Sequence, residues 1–365
     1  MIRVLHVLSS LKKNGTETFV MNVFRNIDRS KIMFDFLVLN DEKEGFYDEI
    51  ISLGGRVYFL PPRRHNFIKY HKNLDKFFSV HSQDYSAVHL HGMSLTTVAP
   101  LFYARKYGIK TRVAHVHGKS CQGRHNQIFH KINRKRLPKL ATHFLSCSSE
   151  ASSWGYGTTK AYSRSEIIPN GINIENYRFN PEKRKELRRG LRIKDEELAL
   201  LHVGSFNPIK NQKFLLDVFS SSKKKRTDLK LICVGEGGLL NDMVNYAKTL
   251  EISDRVFFLG QRDDIPDLMS ASDLFLFPSI HEGLGLVAIE AQANGMPVIA
   301  STGVPTEGVV SKDFQRIDLK DGIEPWVKII GDYEIPVNRI VDPGIYKYDI
   351  NTTCKLLTSI YTIQR

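Results

Sequence analysis

Short apolar runs alternate with segments of helical period along the chain. IRVLHVL (2–8) passes through a polar, Gly-bearing turn (Lys12–Gly15) into TETFVMNVFRNI (16–27), whose apolar positions recur at helical spacing. FDFLVLN (34–40), RVYFL (56–60), AVHLHG (87–92), RVAHVHG (112–118) and HFLSCS (143–148) continue the strand series, with helical patterns near 45–53, 69–80, 94–107 and 126–136. Strands this continuously apolar are buried on both faces, and their alternation with helices implies a parallel sheet. The pattern lapses over IIPNGINIENYRFNP (167–181), which reads as a linker. It resumes with ELALLHVG (197–204), LKLICVG (229–235), RVFFLG (255–260), DLFLFPS (273–279) and PVIAS (297–301). KNQKFLLDVFSS, GLLNDMVNYAKTL and LGLVAIEAQAN supply helices between them, and 346–365 reads as an amphipathic terminal helix. The prediction is an α/β protein of two Rossmann-like doubly wound domains, 1–170 and 171–345, followed by the helix 346–365. Ligands of open α/β sheets bind beyond the carboxyl ends of the strands, so the loops there are where chemistry is expected.

The 365 residues, 42% of them hydrophobic, suffice for two cores. No apolar run approaches the ~20 residues that span a bilayer, and MIRVLHVLSS reads as a first strand instead of a signal peptide. Cys121, Cys147, Cys233 and Cys354 are scattered without a CxxC, which argues against a zinc site or disulfide framework and for the cytosol. The net charge of +13 is lopsided: residues 1–175 hold 26 basic and 13 acidic side chains, and the rest of the chain is balanced. Val113–Ser149 contains no acid but carries Lys119, Arg124, Lys131, Arg134, Lys135, Arg136 and Lys139. Such a surface attracts nucleic acid, phosphorylated substrates or anionic membrane, or is simply solvated. IFHKINRKRLPKL mixes apolar and basic residues at helical spacing up to Pro138, which fits an anionic membrane face. A nucleic-acid signature is missing.

PSIHEGLGLVAIEAQANGMPVIAS (278–301) is the richest stretch. A strand ends, a Gly-rich turn follows, and a helix opens near Gly285, which leaves free N–H groups and a helix dipole as an anion site. Glu282 and Glu290 would repel a phosphate, so they fit better as acceptors for sugar hydroxyls. The plainer alternative is a capping acid and a solvated helix acid. HLHG (89–92) and HVHG (115–118) each end a strand. Alternation puts His115 and His117 on one face, where metal ligation lacks a complete set and a satisfied structural role is open to each. GEGGLL (235–240) lacks the third glycine of a dinucleotide loop, which disfavours an NAD-type oxidoreductase.

The acids Glu282 and Glu290 form an E-x7-E pair, and EGLGLVAIEAQANGMPVIAS resembles the retaining, GT-B-fold glycosyltransferases of family 4. The resemblance extends to SSLKKNGTETFVMNVFRNID, LHVGSFNPIKNQKFLLDVF and PNGINIENY, and its nearest subgroup is the capsular and exopolysaccharide transferases of bacteria. It implies two domains facing each other across a cleft, the C-terminal helix crossing back to the first, and hexosyl transfer from a nucleotide-sugar, chiefly a UDP-sugar. Glu290 would bind the ribose and Glu282 the transferred sugar. The amides of Gly283, Leu284, Gly285 and Leu286 would hold sugar or diphosphate oxygens, and Lys210 would neutralise the diphosphate. Arg262, Asp263 and Asp264 would frame the base. Asn14, Gly15 and Thr16 would close over the diphosphate, and His117, or else His115 or His91, would lie by the donor sugar. Ser205 stands where the family often has Arg, and Asn14 where it often has Gly. No cofactor is implied, since the nucleotide-sugar is a substrate and UDP a product. With no D-x-D in the chain, no metal is expected either. The acceptor would be a lipid-linked saccharide at the inner face of the cell membrane, met through the basic surface from Arg124 to Lys139. A nucleotide-sugar epimerase or phosphorylase of the same architecture, and a non-catalytic nucleotide-sugar-binding protein of polysaccharide assembly, are the alternatives.

Overall fold

The computed structural model describes every residue except 41, 119–120, 122, 336–337 and 363–365. It divides into two units: residues 1–172 with 348–365, and residues 173–347. The boundaries thus fall two residues beyond the expected 170 and 345. Where the chain leaves and re-enters the first unit it is tied to itself: Ile172 N–H donates to Tyr348 O at 2.8 Å and Ile350 N–H to Ile172 O at 2.9 Å.

The strands of the first unit are β1 (Ile2–Leu8), β2 (Ile32–Val38), β3 (Val57–Phe59), β4 (Ala87–Gly92), β5 (Thr111–Val116), β6 (His143–Ser146) and β7 (Ser165–Ile167). They form a parallel sheet in the order β3-β2-β1-β4-β5-β6-β7. Both faces are covered. Leu5 and Val7 of β1 join Tyr70, Leu74 and Leu101 in one core. Val4 and Leu8 join Phe19 and Phe24 of helix Gly15–Asn26, and Leu357 and Ile360 of helix Ile350–Thr362, in the other. The C-terminal helix therefore belongs to the first unit, where the Cys354 thiol reaches Val23 O at 3.8 Å.

The second unit repeats the plan with β8 (Leu198–Val203), β9 (Leu229–Val234), β10 (Val256–Phe258), β11 (Leu274–Phe277), β12 (Val298–Ser301) and β13 (Phe314–Ile317), in the order β10-β9-β8-β11-β12-β13. The strand order reverses between β1 and β4 in one sheet and between β8 and β11 in the other. These are the switch points where such sheets open a crevice.

Two local expectations fail. The basic helix does not stop at Pro138 but runs Arg124–Leu140. Pro138 lies in the last turn, where its missing N–H costs one bond, and buried Leu137 and Leu140 hold that turn down. The helix expected from 94 begins at Ala99, with Pro100 in its first turn.

Candidate active site

The second unit gathers its polar loops at the carboxyl ends of β8 and β11. After β8 the chain crosses Gly204 and Ser205 and reaches Lys210. Asn211 then takes a left-handed conformation (φ 57°) to cap helix Gln212–Lys223. Buried Gln212 braces this loop by donating to Ser205 O at 2.9 Å. After β11 the loop is pinned on both sides: Ile280 N–H donates to Ile209 O at 2.7 Å, and Glu282 N–H to Gly303 O at 3.0 Å. The two loops meet in one ion pair, Lys210 Nζ to Glu282 at 2.6 Å, with the ammonium 5.0 Å above the Phe277 ring.

Helix Leu286–Ala293 starts beside this pair, capped by Gly285 at φ 75°. A Cβ there would be strained by that φ and would crowd Phe277 and Val304 at 3.2 and 3.3 Å, so glycine is required. The amides of Gly283, Leu284, Gly285 and Leu286 have no hydrogen-bond partner among the described residues. Four unpaired donors, a helix N-terminus and a lysine thus converge on one corner, the arrangement that binds a phosphate.

Glu290 is on the same helix, one turn further in and half-buried. Burial raises its carboxyl to about 7, against a smaller lowering by the nearby Tyr177 hydroxyl. Tyr177, from the linker segment, was not singled out by sequence. Its placement depends on a contact 113 positions away in the chain, although the Asn294 amide that holds Tyr177 O at 2.8 Å follows the motif directly. The folded state keeps a proton on Glu290 that the unfolded chain releases. Stability should therefore fall as pH rises from about 4.5 to 7. Glu290→Gln removes that fall. Denaturant titrations should find the variant more stable than the parent at pH 8, by at most about 3 kcal/mol, and equal to it at pH 4. A difference independent of pH would contradict the assignment.

The other donor-site candidates are more dispersed. Ser205 is exposed at the mouth of the β8 loop and adds no charge. Arg262 and Asp264 form a two-pronged pair at 2.8 and 2.6 Å after β10, three strands from β11, with Asp263 exposed beside them. Gly235, after β9, explains the GEGGLL string. Its φ is 134°, and a Cβ would lie 2.2 Å from Gly204 O, so the glycine lets two loops touch.

In the first unit Asn14 caps helix Gly15–Asn26 with backbone alone, Gly15 is exposed with open space around its Cα, and Thr16 is half-buried. Glu17, next along, is buried and accepts from Ser10 Oγ at 3.0 Å. His115 and His117 do share a face, but both are buried and paired. His117 Nε2 meets His91 Nδ1 at 2.9 Å, and burial lowers its pKa to about 3. It is a neutral group. His6 on β1 and Tyr361 join the same layer and were not anticipated.

Of the basic residues, Arg124, Lys131, Lys135, Arg136 and Lys139 are exposed, whereas Arg134 is half-buried against Gly157; Lys119 lies outside the described residues. Arg63, Phe67, Phe102, Phe129, Ile132 and Arg136 line a groove of about 600 Å³ in the first unit. The Arg63 guanidinium lies 4.4 Å over the Phe129 ring.

The chain is similar to known proteins along most of its length. The profile of Glycosyltransferase Family 4 matches residues 13–176, and that of Glycosyl transferases group 1 matches 183–323. EpsF of Bacillus subtilis (strain 168) is 32% identical over 338 residues, covering 90% of this chain and 86% of EpsF. The chain belongs to glycosyltransferase family 4. It is also 26% identical to an Escherichia coli UDP-Gal:alpha-D-GlcNAc-diphosphoundecaprenol alpha-1,3-galactosyltransferase, over 88% of this chain and 85% of that enzyme. The fold of this glycosyltransferase is GT-B. HepE of Anabaena, solved with UDP and glucose, superposes with a TM-score of 0.75 over 100% of both chains at 18% identity.

Proposed function

We propose that this glycosyltransferase moves a sugar from a UDP-sugar to a hydroxyl of a lipid-diphosphate-linked saccharide, with retention at the anomeric carbon and without a metal ion. The observation that carries the reading is the corner where Lys210, Glu282 and four unpaired amides converge. As the bond from C1 to the diphosphate oxygen breaks, the electron pair leaves with UDP. Lys210 and the helix N-terminus stabilise the charge where it grows. The acceptor oxygen forms the new bond on the same face, and its proton passes to the departing diphosphate. Glu282 must release Lys210 in part, and its carboxylate then accepts from the sugar hydroxyls. Glu290 does the same for the ribose. The paired acids are donor ligands in this reading, not a hydrolase couple.

The acceptor class is supported by the Escherichia coli relative and by the groove in the first unit. Its aromatic floor suits acyl or prenyl chains, and its cationic rim suits lipid phosphates. Peripheral binding fits a chain in which no described helix is long and apolar enough to cross a membrane. Vesicle sedimentation checks this. Replacing Lys135, Arg136 and Lys139 with Glu should weaken binding to anionic vesicles by at least about 1 kcal/mol per residue. Equal binding of the parent to neutral and anionic vesicles counts against it.

The reaction is tested by offering radiolabelled UDP-sugars with a polyprenyl-diphosphate-linked saccharide and determining the anomeric configuration of the product. An inverted product contradicts the mechanism. Tight donor binding without transfer or epimerisation would turn the reading to a binding protein.

A further inference from the structure

Two cavities of the first unit adjoin and differ in kind. One is the groove of about 600 Å³ lined by helix Arg124–Leu140. Its apolar surface is left open: Phe67, Phe102 and Ile132 are 55%, 50% and 41% exposed. Apolar side chains gathered this way mark a site for an apolar partner. The lining also holds four cations, Arg63, Arg105, Arg136 and Lys139, and no acid among the described residues. The partner must therefore carry negative charge as well.

The other cavity, of about 510 Å³, lies at the carboxyl ends of β1 to β4, which include the switch point of this sheet. Ser9 and Ser10 follow β1, Asn40 follows β2, Arg64 follows β3 and Thr96 follows β4. Its two acids, Glu42 and Glu44, face Lys12 at 3.7 and 3.4 Å. Hydroxyls, an amide and matched charges suit a polyol such as a saccharide. Both volumes fall in the range of about 300–1,000 Å³ usual for small-molecule sites.

Arg63 and Thr97 line both cavities, so the two spaces meet there. The joint is braced from several sides. Arg63 Nη1 donates to Thr96 O at 2.7 Å, and the guanidinium lies against the Phe129 ring. The Tyr70 hydroxyl, from helix Phe67–His81, meets Thr97 Oγ1 at 3.1 Å. Buried Asn133 of helix Arg124–Leu140 donates to Leu95 O at 2.7 Å, and buried His130 accepts from the Leu95 amide at 3.1 Å. The other N–H groups of Arg63 have no hydrogen-bond partner among the described residues, and Arg64 stands exposed next along the chain. A guanidinium fork with donors to spare is suited to phosphate oxygens.

We propose that Arg63 seats the diphosphate of the acceptor, with the saccharide in the polar pocket and the start of the lipid chain in the groove. This deepens, and rests on, the reading of the acceptor as a lipid-diphosphate-linked saccharide. Such a molecule is an apolar chain, an anionic linker and a polyol, in that order. The first unit offers an apolar groove, a guanidinium and a polar pocket in the same order.

Calorimetric titration of the full chain with farnesyl diphosphate, farnesol and dihexanoyl phosphatidylglycerol, each below its micelle concentration, tests this. The parent should bind farnesyl diphosphate more tightly than either of the others. Arg63→Gln should weaken that binding about ten- to a hundredfold, the worth of hydrogen bonds to a charged group, and change farnesol binding far less. Arg63→Lys, which keeps the charge and loses the fork, should fall between. Ile132→Glu should weaken both farnesyl ligands. Excess UDP should displace neither, since the Lys210 corner is in the second unit. In amide NMR of the parent, farnesyl diphosphate should shift Thr97 and Phe129, and only farnesyl diphosphoglucose should shift Ser10 and Asn40 as well. Circular dichroism melts identify a variant that fails to fold; should Arg63→Gln do so, Arg63→Lys and the parent's shifts decide. Farnesyl diphosphate affinity unchanged in the Arg63 variants overturns the proposal, as does its displacement by UDP. So does phosphatidylglycerol bound as tightly as farnesyl diphosphate, or a sugar-bearing probe that leaves Ser10 and Asn40 unmoved. None of these readouts needs transfer. A parent that binds as stated and transfers nothing counts against the proposed function alone, and transfer to a polyprenyl-linked acceptor with binding indifferent to Arg63 overturns this inference alone.

Discussion

Lys210→Ala is expected to lower transfer about 10²- to 10³-fold, the cost of removing one preorganised group from a developing oxyanion. The loss should fall mainly on kcat, since the diphosphate carries more charge as it leaves than while it is bound. Stability should hardly change. The Lys210 and Glu282 side chains retain 20% and 12% of their exposure, and a pair so placed contributes little net once desolvation is counted. Glu282→Ala should also be severe, for a different reason: it frees Lys210 but leaves the sugar hydroxyls without their acceptor. The double variant then separates the two roles. If the residues act on one bound donor, their effects will not add. Near-parental turnover in both single variants would defeat the assignment of this corner.

Asp273→Ala should cost about 3–5 kcal/mol in stability, the largest effect expected outside the site. Asp273 is 1% exposed and accepts from Arg184 at 2.7 Å, from Arg188 at 3.2 Å and from the Ala199 amide at 2.8 Å. Arg188 is itself 1% exposed, and burial already pushes its pKa down. Removing the carboxylate would strand a buried guanidinium and an unpaired amide together. The pair also ties helix Pro181–Gly190 to β8 and β11, so its loss would loosen the sheet under the Lys210 and Glu282 loops. A denaturant midpoint shift with an unchanged slope would report it. A change below about 1 kcal/mol would mean that water reaches Arg188.

The strands that build the two switch points were legible because β1, β4, β8 and β11 are buried on both faces and read as unbroken apolar runs. The turn at Gly283–Gly285 was legible for a related reason: glycines and a helical run sit side by side in the chain. What escaped depends on distance or on partial exposure. β7 and β13 are short edge strands with exposed positions, so their sequences carry no continuous run. Helix Pro181–Gly190 has one apolar position, Leu187, among charges, and its buried anchor is Arg188, a residue type that sequence places outside. Its signal was the Asn180-Pro181 start, where the Asn180 side chain caps two amides. The link between Tyr361 and His89 spans 272 positions, and nothing in either neighbourhood announces it.

The central claim is that the corner around Lys210 in the second unit grips a diphosphate. Calorimetric titration of the full chain with uridine and with UDP tests it most directly, in the parent and in Lys210→Ala. The account predicts that the parent binds UDP far more tightly than uridine, and that Lys210→Ala removes much of that difference while leaving uridine affinity unchanged. Equal affinity of the parent for the two ligands, or a UDP advantage that survives the substitution intact, would contradict it.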